Sequence, residues 1–236
     1  MAVRPFGLPK RQDTAEWVAL AQQIAILVEM QVKHLLHLPR PVNYSEKLQP
    51  VIDTPDHSSY PSGHATEAFA IATVLNRLEF NQDPSNAVKK GRERQVFLLA
   101  HRIAVNRTIA GVHFPIDSMA GAVLGCGIGE AIVALSKRKK IKKYKFTASR
   151  HLWRDRQTHN FKNDDFTLQK MRSIIKIRAR ASHFHSMPSF VRNHWNLARR
   201  AWTENAALPP AWSSVNPVEI GFESEASEHT TDAAED

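Results

Sequence analysis

A single cysteine, Cys126, in a chain of 236 residues excludes a disulfide-stapled fold, and the same count excludes a cysteine-based zinc module. Long uncharged apolar runs are also missing. The longest, Trp17 to Val28 and Ser118 to Gly129, hold about twelve residues each, against the ~20 that a helix needs to cross a bilayer. The stretch Met1 to Gln12 is basic and punctuated by proline, without the apolar segment of a secretory signal. These absences predict a soluble, cytoplasmic chain stabilised by packing. No segment alternates apolar and polar residues for long enough to predict a strand, and no internal repeat is present.

What is present is ordinary globular composition, 42% hydrophobic and 23% charged, with charge distributed unevenly. Residues 1–136 carry 13 basic and 12 acidic side chains, residues 137–200 carry 19 and 3, and residues 201–236 carry 0 and 8. The net charges are therefore +1, +16 and −8. The expected organisation is a helical core over 1–136, a basic helical extension over 137–203, and an acidic tail over 204–236 too poor in apolar surface to fold alone.

In the core, Trp17, Leu20, Ile24, Val28, Val32, Leu35 and Leu36 recur at helical spacing from Asp13 to about Leu38, where Pro39 and Pro41 end the run. A proline-rich loop then leads to Ser62, whose side chain is expected to cap a helix from about His64 through Leu78. A third helix is predicted from about Asn86 to Ile109. A fourth, opening on Pro115, runs to about Ser136. Further helices are expected at about Phe166 to Ala181 and Pro188 to Trp202. The fold class is all-α, an antiparallel helical bundle with a basic C-terminal extension.

The polar residues that carry chemistry cluster at the helix ends. Lys33 and Arg40 stand as Lys-x6-Arg-Pro, Pro61-Ser62-Gly63-His64 opens the second helix, and Arg107-x5-His113-x3-Asp117 spans the turn into the fourth. Three fixed cations, a Ser-Gly turn at a helix start, two histidines and a carboxylate describe a site for a tetrahedral oxyanion that needs no metal. Guanidinium groups hold phosphate oxygens in pairs, Lys33 adds a point charge, and Gly63 lets backbone N–H donors approach closely. Asp117, four residues after His113, is placed to fix the imidazole tautomer, and His64 to protonate a leaving oxygen and then activate water.

In this order and at these spacings, the three motifs resemble the phosphatidic acid phosphatase type 2 and vanadium haloperoxidase superfamily over roughly residues 30 to 130. The resemblance implies that Lys33, Arg40 and Arg107 hold the equatorial oxygens, with Ser62 and Gly63 adding hydrogen bonds. It makes His113 the axial residue. In the phosphatases this histidine attacks phosphorus and His64 is acid and base; the substrate is then a phosphate ester and no cofactor is needed. In the haloperoxidases it binds vanadate, the cofactor that activates peroxide toward halide. His57, seven residues before His64, matches an additional histidine of the algal bromoperoxidases, although some phosphatases of the superfamily also read His-x-Ser-Tyr-Pro-Ser-Gly-His here. Only about thirty residues precede Lys33, where family members commonly place further helices, which leaves three alternatives: a second copy of the chain completes the wall of the pocket, the basic segment does, or the chain is a shortened, weakly active relative.

Other features read as structural. His34 and His37, like His183 and His185, lack a third ligand at a familiar spacing. Cys126 sits on an apolar helix face as a buried thiol, and Gly121, Gly125 and Gly129 recur every four residues, as close helix packing requires. A rival function class comes from residues 137–200, where cations interleave with Trp153, Phe161, Phe184, Phe190 and Trp195. That pattern suits weak contact with a nucleic acid or an anionic membrane surface.

Overall fold

The computed structural model describes residues 12–81, 93–148, 152–154, 161–163, 165–175, 180–181 and 188–204. The expected acidic tail lies beyond them apart from Glu204, as do the start of the third helix at Asn86 and the aromatic Phe184. Six α-helices are described: α1 (Gln12–Leu36), α2 (Gly63–Glu79), α3 (Glu93–Ile109), α4 (Pro115–Ser136), α5 (Leu168–Ile174) and α6 (Ser189–Glu204). The all-α expectation holds.

Helix α1 ends where His37 adopts a left-handed backbone, φ 47°, and its N–H closes on the Lys33 carbonyl at 3.1 Å. Such a terminus satisfies a carbonyl that the helix itself cannot pair. The chain then makes a short 3-10 turn at Pro41–Tyr44, pinned by Asn43 Oδ1 accepting from the Arg40 N–H at 2.8 Å. At the far side, α3 stops at Gly111, whose φ of 78° suits a residue without Cβ. This turn aims His113 inward before Pro115 restarts the chain as α4.

Helix α2 lies tightly along α4 because the α4 glycines leave room for it. A Cβ on Gly121 would stand 2.6 Å from the Ser62 carbonyl oxygen, and one on Gly129 would stand 2.6 Å from Thr73 Cβ. Around this pair one apolar cluster gathers Phe69, Phe97, Met119, Cys126, Phe166 and Met171, all buried. A second joins Trp17, Ala21, Ala25, Val74, Leu78 and Ile132 to Trp195 and Ala198 of α6. There Trp195 meets Trp17 edge to face at 4.9 Å, Trp202 Nε1 donates to Thr14 Oγ1 at 3.1 Å, and His194 lies 3.2 Å from the Glu16 carboxylate. Trp195, expected to be free to stack or insert, is thus spent on the core, while Phe190 is exposed.

Three expectations are corrected. Ser62 occupies the N-cap position of α2 by its backbone, but its hydroxyl makes no capping bond and is buried without a protein partner. Two short antiparallel ladders occur where no strand was expected: β1 (Lys142–Lys143) with β4 (Arg180–Ala181), and β2 (Leu152–Arg154) with β3 (Phe161–Asn163). Ladders of two or three residues are too short to leave a period-two pattern, and β4 takes the end of the helix predicted to reach Ala181. Finally, α4 is 22 residues long with a mean hydropathy of 1.7 over its most apolar 18-residue window, which makes it long and apolar enough to cross a membrane. Two-thirds of that window is buried inside the protein. The expectation of a cytoplasmic chain with no membrane-length helix does not stand.

Candidate active site

At the N-terminal ends of α2 and α4 the three motifs meet. Lys33, on the last turn of α1, is fully buried and donates to the Ser58 carbonyl at 2.9 Å. Arg40 is held by backbone oxygens rather than by a carboxylate. Its Nε donates to the His57 carbonyl at 3.0 Å and its Nη1 to the Val112 carbonyl at 2.8 Å. Carbonyls fix the direction of a guanidinium while leaving its charge uncancelled, the condition an anion site requires. Arg107 approaches from the last turn of α3, and its buried Nε has no protein partner.

His113 is buried between these cations and Asp117. Its Nδ1 lies 3.2 Å from Asp117 Oδ2, which also accepts from Ser59 Oγ at 2.5 Å and from the Phe114 N–H at 2.9 Å. This network assigns the proton to Nδ1 and leaves the Nε2 lone pair 3.5 Å from Arg40 Nη1. Burial, with help from Arg40 and Lys33, lowers the His113 pKa to about 4 against the opposing pull of Asp117. The imidazole is therefore neutral at pH 7, as a nitrogen nucleophile must be.

His64 stands exposed on the first turn of α2, its pKa lowered by partial desolvation and by the Arg107 cation. His57 is half-buried, with Nδ1 3.2 Å from Arg40 Nη2, so it touches the cation rather than the heart of the pocket. Ser62 and Gly63 line the start of α2. The Ser62 N–H is tied to the Asp117 carbonyl at 3.0 Å. The predicted residues Lys33, Arg40, His57, Ser62, Gly63, His64, Arg107, His113 and Asp117 are thus all gathered at this end of the bundle. His34 and His37 are exposed, and His37 lines a surface cleft beside Arg40 and His57.

Two contributors escaped sequence reasoning. Ser59, buried, donates to Asp117 and lies 3.3 Å from His113 Nδ1; a serine three residues before the Ser62-Gly63 turn gives no signal of its own. Glu29, 5% exposed, lies one turn before Lys33 with its carboxyl against Gly63. A glutamate four residues from a buried lysine on one helix face was the available signal.

The PAP2 superfamily model matches residues 16–141. The chain belongs to the PAP2 superfamily. It is 29% identical over 133 residues to the decaprenylphosphoryl-5-phosphoribose phosphatase of Mycobacterium tuberculosis (strains CDC 1551 / Oshkosh and ATCC 25618 / H37Rv), a match covering 54% of this chain and 64% of that protein. It is 33% identical over 91 residues to the vanadium-dependent bromoperoxidase of Ascophyllum nodosum, covering 30% of this chain and 16% of that one. Among solved structures it is similar, at a TM-score of 0.41 and 20% identity, to a transmembrane PAP2 type phosphatidylglycerolphosphate phosphatase from Bacillus subtilis, over 57% of this chain and 71% of that one.

Proposed function

We propose that this PAP2 superfamily chain is a phosphoric ester hydrolase that works by double displacement at His113. The observation that carries the reading is the neutral Nε2 of His113 facing Arg40, with Ser62 Oγ and Arg107 Nε, at the same end of the bundle, buried and left without protein partners. Buried polar groups are ordinarily paired, so these two are donors held for a ligand oxygen.

In the first step the His113 Nε2 lone pair attacks phosphorus, the ester P–O bond breaks, and His64 delivers a proton to the departing oxygen. In the second, His64 removes a proton from water, water oxygen attacks the phosphorus, and the P–N bond breaks to release phosphate. Lys33, Arg40 and Arg107 neutralise the equatorial oxygens throughout, and Asp117 stabilises the positive charge that develops on His113. Because the His64 pKa is lowered, its proton-donating form favours the acid side of neutrality.

The substrate we favour is a phosphate ester with an apolar segment. A cleft of ≈400 Å³ between α1 and α4, lined by Val32, Val123, Leu124 and Ile128, opens beside Tyr60 and Pro61, the residues that lead into the Ser62-Gly63 turn. An alkyl or prenyl chain in that cleft places its phosphoryl end near the cations.

A second reading, vanadate-dependent haloperoxidation, is favoured by the position of His57 on Arg40 and by the similarity to the algal bromoperoxidase. The donor set suits vanadate as it suits phosphate: Lys33, Arg40, Ser62 and Arg107 would hold the oxygens and His113 would be the nitrogen ligand. Bound there, vanadate supplies the activation of peroxide toward halide. Assaying p-nitrophenyl phosphate hydrolysis with and without vanadate, then bromination with peroxide and bromide, separates the two. Hydrolysis that vanadate inhibits, without bromination, supports the hydrolase; vanadate-dependent bromination with little hydrolysis moves the same residues to the second chemistry.

A further inference from the structure

The pocket contains one group that its cationic design does not explain. Glu29 is buried on α1 one turn before Lys33, and its carboxyl lies against Gly63 at the start of α2, where backbone N–H donors and the positive end of the helix attract anions. Its Oε2 is buried and has no hydrogen-bond partner. No hydrogen bond joins that oxygen to Lys33, whose ammonium donates to the Ser58 carbonyl. An ionised carboxylate there would be buried and would repel the phosphoryl oxygens that the neighbouring cations gather.

We infer that Glu29 is a neutral carboxylic acid in the working enzyme and donates a hydrogen bond from its unpartnered oxygen to the bound oxyanion. The inference rests on the oxyanion pocket proposed above and adds a donor that the three motifs do not contain. It also makes the pocket lose affinity when Glu29 ionises. The charged groups around Glu29 are Lys33 on its own helix and Glu67 and His64 on α2, with Arg40, Arg107 and Asp117 beyond Lys33 and His64. Helix α6 places its charged contact with α1 at Asp13 and Glu16, about four turns away. Burial first and Glu67 second push the Glu29 carboxyl up to about 7, with Lys33 opposing. The switch therefore falls near neutral pH.

The test uses the full chain and inorganic sulfate, a tetrahedral dianion whose own charge is constant from pH 5 to 9. Affinity is measured by calorimetry for the wild type and for Glu29→Gln, which keeps a neutral donor. At pH 6 the two bind sulfate alike. At pH 8 the variant binds about tenfold tighter, because the wild type has gained a negative charge in the pocket. The sign survives the titration of Lys33, whose pKa is lowered to about 8, since removing the carboxylate never makes the pocket more negative. Equal affinities at both pH values would overturn the Glu29 assignment while leaving the pocket intact. Absence of sulfate binding by the wild type at any pH would overturn the pocket and the inference with it. As a check that needs no variant, infrared difference spectra of the wild type at pH 8 are expected to show a carboxylic-acid carbonyl band growing as sulfate is added; no such band contradicts the proposal.

Discussion

Two arginines at opposite ends of the same helix pair are held in different ways. At the C-terminal end of α4, Arg77 meets Glu130 through two charge-assisted bonds, Nε to Oε1 at 2.6 Å and Nη2 to Oε2 at 2.5 Å. At the N-terminal end, Arg40 is oriented just as firmly, but by the carbonyls of His57 and Val112. Burial alone does not separate them, since Arg77 is itself largely buried. The difference is the partner: a carboxylate cancels the charge where it stands, whereas carbonyl oxygens hold the group and leave its charge for a ligand.

This comparison can be broken first at the nucleophile. His113→Ala is expected to lower kcat at least about 10⁴-fold with the helical circular dichroism unchanged, and wild-type turnover would remove His113 from the mechanism. Asp117→Asn keeps the shape of the site but loses the charge that fixes the Nδ1 proton; a fall of about 10³-fold in kcat is expected. At the other end, Arg77→Ala leaves Glu130 buried and unpaired. A loss of about 3 kcal/mol in urea unfolding is expected there, with turnover per folded molecule intact. Should Arg77→Ala abolish catalysis in folded protein, the division between the two ends would fail. Smaller still, Ser59→Ala is expected to lower kcat about tenfold by loosening Asp117, measured in the same assay.

The pH dependence of stability sharpens the same contrast, because the active-site end holds two groups that oppose each other. The His113 pKa is about 4 in the folded chain against an ordinary 6.5, so between these values the unfolded chain binds more protons. Its contribution is complete above pH 6.5 and is lost as pH falls toward 4. Glu29, raised from 4.5 to about 7, acts in the opposite sense: its contribution is complete below pH 4.5 and is lost as pH rises through 7. Melting temperatures across pH 4 to 8 are expected to show Glu29→Gln gaining on the wild type as pH rises from 4.5 to 7.

The gathering of the polar motifs at one end of the bundle was legible in the sequence because the motifs sit at the helix ends with fixed spacing. Arg107, His113 and Asp117 straddle one glycine turn, and Lys33 and Arg40 straddle one proline-ended helix, so local geometry brings each set inward. What was not legible depended on contacts between distant segments. Nothing local shows that Trp195 packs on Trp17, or that the Ser62 hydroxyl makes no capping bond to its own helix. The bounds of α4 were read as they stand, Pro115 to Ser136, but its apolar reach was underestimated for a related reason. Its uncharged run, Ser118 to Gly129, is bounded by Asp117 and Glu130, which count as charges in a sequence but are both buried and satisfied, one by Ser59, Phe114 and His113 and the other by Arg77. Once paired, they no longer interrupt the apolar helix.

The central claim is that phosphorus becomes bonded to His113 during turnover. Rapid acid-free quenching of the His64→Ala variant after mixing with radiolabelled p-nitrophenyl phosphate tests it, because this leaving group departs without the proton that His64 supplies to other esters, whereas loss of the base that activates water lets the covalent intermediate accumulate. The account predicts an acid-labile, base-stable phosphoryl group on the peptide containing His113, absent from the His64→Ala/His113→Ala double variant. Label on another residue, or hydrolysis by the wild type with no covalent label at any quench time in the variant, would contradict it.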